Sequence, residues 1–561
     1  MSYSASKSAR QFLKEIANKG KDESLRPPSY RPPGESLLKV LITLSLVAAI
    51  PGFYYSWIIG VGFLVLGFIF FGILDWFVQD DHSIVRIYGP MGRARYIVED
   101  LVRDKYLQYF NENNTNGRPI PKIVRDYIYQ RAHGLKSISS FGTELDNLDE
   151  DNTVSARVLH RNFRPENNSK STSFGVEVGA SREGIRPYVV PNAVNISAMS
   201  YGSLNYRACE AMSIGSKNVC YLNTGEGGYG PHGIAGNDVV FQIGTGKFGV
   251  GDTISRGNGI QQRVLNDQLL RELVRENDNI RMVEVKISQG AKPGKGGQLP
   301  GAKVTPEIAA VRKVEPYKPV ISPAQHTELA ASTNVGVIRN LMDFIEHIRQ
   351  LTQLPVGIKI CFGDLTEMDL LVEAMRDTGK GPDYIQIDGA DGGTGAAPNI
   401  FLNYVGYGTG IETLGMLDLK LKKAGIRDQV ALAASGRIFT PAHATLAFAY
   451  GADWVMTARG AMLALGCIQA LKCHTGHCPT GITTHNKWRM RGLVVPEKST
   501  RIHEYFSGFH KELLDLTQVL GYSDPRDIQL TDLRIIDKSN YFRSHFTDKE
   551  QVAMASANYS Q

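Results

Sequence analysis

Cysteine is scarce in this chain, six residues in 561. That excludes a disulfide scaffold and fits a reducing compartment. Excess charge is scarce too: a net +6 at this length, with no basic stripe interleaved with aromatics, speaks against nucleic acid as a partner. No Gly-x-Gly-x-x-Gly turn with a following acidic residue and no Walker A lysine motif stands where a nucleotide-binding fold needs one. Between Val40 and Leu74 charge is missing altogether.

That uncharged run is longer than the roughly 20 residues of one membrane crossing. Pro51-Gly52 interrupts it, and Tyr54, Tyr55 and Trp57 follow, as aromatics do at an interface. The pattern predicts a transmembrane helical hairpin with legs near 37–54 and 57–76, too far into the chain and too long for a cleaved signal peptide. Lys7, Arg10, Lys14, Lys19, Lys21, Arg26 and Arg31 precede it, and Arg86, Arg93 and Arg95 follow. Basic flanks on both sides favour both inside, and predict the inner (cytoplasmic) membrane with the domain that follows the hairpin facing the cytoplasm. A buried core hairpin, a single tilted span and a hairpin crossing only partway stay open as alternatives.

The expected organisation is a polar, proline-bearing tail (1–36), the hairpin (37–77), a helical region (78–185), a barrel (186–500) and a C-terminal helical extension (501–561). Helix-like stretches at 96–109 and 123–131 and a polar loop at 146–152 fall in the third part, which carries no chemical motif. After Pro191 the rhythm becomes strand, glycine loop, helix. Strand candidates are Val194–Ala198, Val219–Asn223, Val239–Gly244, Met282–Ile287, Val356–Ile360, Tyr384–Ile387, Val430–Ala434 and Trp454–Thr457. Apolar stripes at Ile338, Leu341, Phe344, Ile345, Ile348 and at Met368, Leu371, Val372, Met375 have helical period. Thr440 and Pro441 open a further helix. Eight βα units over this length predict an α/β (β/α)8 TIM barrel, with a doubly wound sheet as runner-up.

In such a barrel, residues just after the strand ends face the active site, and the loops after the last two strands commonly bind phosphate. Here those loops are Ser435-Gly436-Arg437 and Ala458-Arg459-Gly460, which together favour a phosphorylated cofactor. Gly389–Gly395 and the loops beginning at Met199 and Asn223 add close-approach backbone. Lys286 and Gln289 end the fourth strand and Arg312 follows; a lysine, an arginine and an amide at one mouth suit a substrate with two carboxylates. Cys467, Cys473 and Cys478 form a triad. An iron–sulfur cluster, a zinc site completed by His474 or His477, and unliganded thiols are all compatible with that spacing. Cys209, Cys220 and Cys361 sit in apolar settings as core residues.

Ile196–Ser203, Asn223–Gly228, the segment from Lys286 to Gly301 (KISQGAKPGKGGQLPG), Asp391–Gly395 and the cysteine triad occur in this order. Over roughly 190–500 the chain resembles the FMN-binding synthase domain of glutamate synthases. The resemblance implies FMN held by Ala198, Met199, Ser200, Thr224, Lys359, Asp391, Gly392, Gly393, Ser435, Gly436, Arg437, Arg459 and Gly460. It implies a [3Fe-4S] cluster on Cys467, Cys473 and Cys478, and a 2-oxoglutarate pocket from Gly202, Ser203, Glu226, Lys286, Gln289 and Arg312. Glu226, Lys286 and Gln289 would be catalytic. The implied reaction condenses ammonia with 2-oxoglutarate and reduces the resulting 2-iminoglutarate to glutamate. The cysteine-nucleophile glutaminase domain and the β-helix domain of the large synthases do not fit in this chain. Ammonia or another amine, and electrons from a ferredoxin-like or membrane-bound donor, are then expected from outside. Two alternatives remain: another 2-oxo acid or amine, as in N-alkylglutamate synthesis, and a non-catalytic flavin electron-transfer subunit. Retention of Lys286, Gln289 and Arg312 argues against the second, because electron transfer alone needs no dicarboxylate clamp.

Overall fold

Short apolar strands with hardly any polar alternation need cover on both faces, and a closed parallel ring supplies it. The computed structural model describes residues 35–98, 117–135 apart from 118, 152–154, and 174–535 apart from 257–259 and 407. The polar tail, most of the 96–109 stretch, the loop before Asn152 and the chain beyond 535 lie outside the described residues.

The ring consists of β1 (Val194–Ile196), β2 (Leu222–Asn223), β3 (Val239–Ile243), β4 (Ile280–Lys286), β5 (Val356–Ile360), β6 (Tyr384–Asp388), β7 (Ala431–Ser435) and β8 (Trp454–Thr457). Each pairs in parallel with its chain neighbours, and β8 closes on β1 with Val455 opposite Val194 and Thr457 opposite Ile196. Closure makes this the expected TIM barrel and excludes the open doubly wound sheet. The second strand begins three residues later than its apolar pattern predicts, because Val219 and Cys220 still turn out of the preceding helix, Tyr206–Ser216. Thr440 caps the helix Pro441–Ala449 by accepting from the His443 amide, and Gly379, at φ +64°, ends Leu365–Thr378.

An antiparallel hairpin, Val176–Val178 with Tyr188–Val190, closes the N-terminal end of the ring. The Tyr188 hydroxyl donates to Asp238 just before β3 (3.0 Å), Arg182 pairs with Asp383 just before β6 (3.3 Å), and the Arg186 amide donates to the Gln353 carbonyl (2.9 Å). The active face is therefore the opposite one. A 25-residue helix, Val495–Val519, packs on Tyr206–Ser216 and Lys122–Ala132 and runs continuously through position 500.

At the N-terminus, α1 (Glu35–Tyr55) and α2 (Trp57–Ile73) form an antiparallel pair; α2 runs on through a π turn, Leu74–Val78. Ser56 caps α2 by accepting from the Ile58 amide. Leu37–Tyr55 and Trp57–Val78 have mean hydropathies of 1.9 and 2.6, and only 17% and 22% of them is buried. Both are candidate membrane spans by length and composition only. Just below, Asp75 is fully buried under Arg93, whose guanidinium donates to both carboxylate oxygens at 2.6–3.0 Å. This stem is seated on the barrel chain: Arg86 Nε donates to the Arg491 carbonyl (2.9 Å), and Trp488 Nε1 to that of Ile87 (2.8 Å).

Candidate active site

Glu226 follows β2, and the loop after β4 folds over it so closely that a Cβ on Gly297 would stand 2.2 Å from its Oε1. Lys286, the last residue of β4, pairs with Glu226 Oε1 at 3.0 Å and donates to Gln289 Oε1 at 2.6 Å. Arg312, in the last turn of the helix Pro306–Arg312, is 4% exposed. Its Nη2 donates to the Tyr201 carbonyl (2.8 Å), its guanidinium lies over the Phe248 ring at 4.9 Å, and its Nε has no partner. Gly202 must be glycine: φ is +107°, and a Cβ would meet Arg312 Nη2 at 3.1 Å. The expected pocket residues Gly202, Glu226, Lys286, Gln289 and Arg312 thus converge. Ser203 is close by, but its hydroxyl donates to the Ser200 carbonyl (2.6 Å).

Lys292 completes this end of the mouth. It is buried, donates to the Ala396 carbonyl (3.1 Å), and is one of the charges acting on Glu226. Burial alone would push the Glu226 carboxyl up, yet Lys286, Arg312 and Lys292 outweigh it and hold the group below its ordinary value. Burial also pulls Arg312 down to about 10, against the pull of Glu226. Three cations face one carboxylate here, an excess of two positive charges in a largely desolvated place.

The strand ends beneath carry a second network. Lys359 on β5 pairs with Asp388 on β6 (3.1 Å); Asp388 also accepts from the Ser435 hydroxyl on β7 and from the Gly290 amide (3.3 Å). With its amide oxygen turned to Lys359 (3.2 Å), Gln386 donates to Glu284 Oε2 (3.1 Å). Glu284 takes further bonds from Asn223 (2.8 Å) and Gln242 (2.6 Å), and burial raises its carboxyl above the usual range. Thr224 is consumed by backbone, donating to the Gly225 carbonyl and accepting from the Gln242 amide, both at 3.0 Å.

At the far end of the mouth, the loops after β6, β7 and β8 meet. Arg459 Nη2 donates to the Asp391 carbonyl (2.9 Å), its side chain lies against Gly393, and its guanidinium stacks on Phe439 at 5.4 Å. Among the described residues no carboxylate pairs with it. Gly410 N donates to Asp391 Oδ1 (3.3 Å), beside Gly436. Arg437 departs from this group: its side chain is exposed and reaches out to the Pro119 carbonyl (3.0 Å). A partly buried guanidinium with no counter-ion, beside glycine-rich backbone, fits a phosphate. The loops of β1 and β2 also come within close approach, a Cβ on Gly225 lying 2.6 Å from the Ser200 amide.

Cys467, Cys473 and Cys478 line one small cavity, with Met462, Ile468, Leu471, Thr480 and Thr483 among its walls. Among the described residues no three His, Cys, Asp or Glu side chains stand close enough together to hold one metal ion. Three thiols around a cavity fit a multi-metal cluster. Burial pushes the Cys467 thiol up to about 12; for Cys478, hydrogen bonds from Thr480 and Thr483 outweigh burial and lower it. Tyr129 donates to the Cys467 carbonyl (2.7 Å), tying the triad to the helix Lys122–Ala132. Cys209, Cys220 and Cys361 are buried, as expected of core thiols.

Sequence reasoning missed Lys292, Asp388 and Glu284. Asp388 lies one residue beyond the apolar run of β6, at an inward position two after Gln386, and that alternation was its signal. Lys292 lay inside the motif but bore no mark distinguishing it from Lys295.

Comparison with known proteins bears on the whole unit. A family model described as a conserved region in glutamate synthase matches residues 143–523. The glutamate synthase large subunit-like protein YerD of Bacillus subtilis is 33% identical over 489 residues, covering 80% of this chain and 88% of that protein. The archaeal-type glutamate synthase (NADPH) of Dehalococcoides mccartyi is 31% identical, over 61% of this chain and 63% of its own length. The ferredoxin-dependent glutamate synthase of Pyropia yezoensis is 30% identical, over 59% of this chain and 21% of its own. A closed parallel barrel carrying these motifs, matched over most of its length, makes the chain an oxidoreductase belonging to the glutamate synthase family.

Proposed function

We propose that the mouth binds FMN and the 2-oxoglutarate dianion side by side and catalyses reductive amination to glutamate, using ammonia from outside the chain. The observation that carries this reading is the excess of two positive charges around Glu226, which a dicarboxylate neutralises. Arg312 and Lys292 would take one carboxylate and Lys286 the other, fixing the keto carbon in place. Ammonia adds to that carbon and water leaves, giving 2-iminoglutarate. Glu226, kept ionised by its cations, accepts an N–H from the imine and orients it; Gln289 holds Lys286 in line. Ser435, Gly436, Arg459 and Gly460 would hold the flavin phosphate, and Lys359, fixed by Asp388, would offer its charge to the flavin. When bound, the flavin supplies hydride and a [3Fe-4S] cluster on Cys467, Cys473 and Cys478 supplies single electrons.

The hairpin is proposed to anchor the chain in the cytoplasmic membrane with the barrel on the cytoplasmic side. The stem sits on residues 488–492, just downstream of the triad, so this edge of the barrel would face the bilayer and a membrane-bound donor. The test is anaerobic: purified chain is assayed for flavin, iron and sulfide, reduced, and mixed with 2-oxoglutarate with and without ammonium. Flavin reoxidation that requires both supports the reading. If neither addition reoxidises it, the assignment fails.

A further inference from the structure

Lys303 ends the single turn Gly301–Lys303, between the loop that carries Lys286 and the helix that carries Arg312. Its side chain is buried, 6% exposed. The ammonium donates to two carbonyls, those of Cys473 (2.7 Å) and Thr483 (2.8 Å), and both of those residues line the cavity of the three thiols. An ammonium has three donors; the third finds no protein acceptor among the described residues, and no carboxylate pairs with it there. Its electrostatic neighbours are Cys473 and Cys478.

A buried ammonium with no counter-ion costs several kcal/mol. Three other buried lysines avoid that cost, Lys247 pairing with Glu328 (2.9 Å), Lys359 with Asp388 (3.1 Å) and Lys498 with Glu497 (2.7 Å), while Lys292 faces the cationic mouth around Glu226. Lys303 lacks such a partner among the described residues, and what it faces is the cavity of the three cysteine sulfurs, where a bound cluster would become more negative on reduction. We propose that Lys303 is the resident counter-charge of the cluster, stabilising its reduced state and so raising its reduction potential. The inference rests on the cluster assigned above. A charge beside the inorganic centre is one of the means by which a protein sets cluster potential. Lys303 touches no substrate atom; it acts through the cluster.

The experiment is an EPR-monitored redox titration of the detergent-purified full chain, in three forms: parent, Lys303→Gln and Lys303→Arg. Gln keeps an N–H donor for the two carbonyls but no charge, whereas Arg keeps the charge. In Lys303→Gln, cluster reduction should become about tenfold less favourable, a fall of about 59 mV for a one-electron couple. Lys303→Arg should stay within about twofold of the parent, and the flavin potential should move less than that of the cluster. Loss of iron from the Gln variant alone, with the Arg variant intact, also supports the charge role. An unchanged potential in Lys303→Gln overturns it, as does loss of iron from both variants, which would make Lys303 a structural hook. A parent protein with flavin but no iron is a different failure: it sinks the cluster assignment itself.

Discussion

Replacing Lys286 with Met perturbs the mouth in two separable ways. The first concerns the substrate. Met keeps most of the stem volume but removes the charge, so one charge-assisted hydrogen bond to a carboxylate disappears and the positive excess around Glu226 halves. Such bonds contribute about 1.5–3 kcal/mol, so 2-oxoglutarate affinity should fall by roughly 10- to 150-fold. The second concerns the fold. Glu226 loses its 3.0 Å partner. Removing one member of a buried pair costs about 3–5 kcal/mol where nothing replaces it, but Arg312 and Lys292 still face this carboxyl and should hold the loss at or below the lower end. The two effects part in the double variant Lys286→Met/Glu226→Gln, which should recover thermal stability without recovering affinity. The assay is single-turnover reoxidation of reduced protein as a function of 2-oxoglutarate concentration, repeated with a 2-oxo monoacid. Preference for the diacid should shrink in Lys286→Met. Should flavin content and fold survive while the concentration dependence stays that of the parent, Lys286 does not touch the substrate and the charge argument is wrong.

At the other end of the mouth, Arg459→Met should release flavin, raising the FMN dissociation constant by about ten- to a hundredfold, from the loss of one charged bond to phosphate. Retention of flavin through ultrafiltration at the parental level would contradict the phosphate site. Asp388→Asn strands the buried Lys359 and should cost about 3–5 kcal/mol of stability by denaturant unfolding, with Lys359→Met/Asp388→Asn regaining more than half; an unaffected single variant would refute the pairing. Acid should weaken the fold in the range pH 6.5 to 4. Burial lowers His232 and His326 to about 4, so the unfolded chain binds their protons first; their stabilisation is full above the unfolded value near 6.5 and falls as the pH drops toward 4. Each should cost about 1.4 kcal/mol per pH unit within that window. His326→Gln, which can still donate to the Lys286 carbonyl that His326 Nε2 reaches at 2.9 Å, should flatten the slope; an unaltered slope would exclude His326 as a contributor.

The barrel was legible because a parallel ring buries both faces of its strands, leaving apolar runs such as Val430–Ala434 and Trp454–Thr457 that end at glycine loops. The N-terminal plug was not. Val176–Val178 and Tyr188–Val190 are three residues each, too short to show a period, and their place is set by Asp238, Gln353 and Asp383, far away in sequence. The hairpin at Gly251–Arg256 and Ile260–Leu265 escaped notice for a related reason: its strands are mostly polar, with neither an apolar run nor a clean alternation, and the ribbon pairs only with itself, off the ring. Of the candidate site, the cationic end of the mouth was legible through Lys286, Gln289 and Arg312, although spacing alone left Arg312 open between clamp and surface; it is buried beside Tyr201 and Phe248. Arg437 went the other way. Its neighbours Ser435 and Gly436 face the mouth, but its own left-handed backbone, φ +48°, directs the side chain outward to Pro119, a turn that residue type does not announce.

Some of the buried cations proposed to act in the site lack a carboxylate partner after folding, a property that exists only in three dimensions. Arg349 is buried against Asp383, and Lys247, Lys359 and Lys498 each have an acid within 3.1 Å. Among the described residues, Arg312, Lys292, Arg459 and Lys303 have none within ion-pair distance, and all four belong to the mouth or the thiol cavity. Each is a charge whose desolvation the protein offsets only in part, with no direct ion pair. Their positions match the three anions the proposed chemistry needs: a dicarboxylate at Arg312 and Lys292, a phosphate at Arg459, a thiolate cluster at Lys303. A subunit that only passed electrons between flavin and cluster would have use for the last two. Arg312 and Lys292 would then be buried at a loss, so their retention beside Glu226 is the strongest reason to expect a diacid substrate and not an electron relay alone.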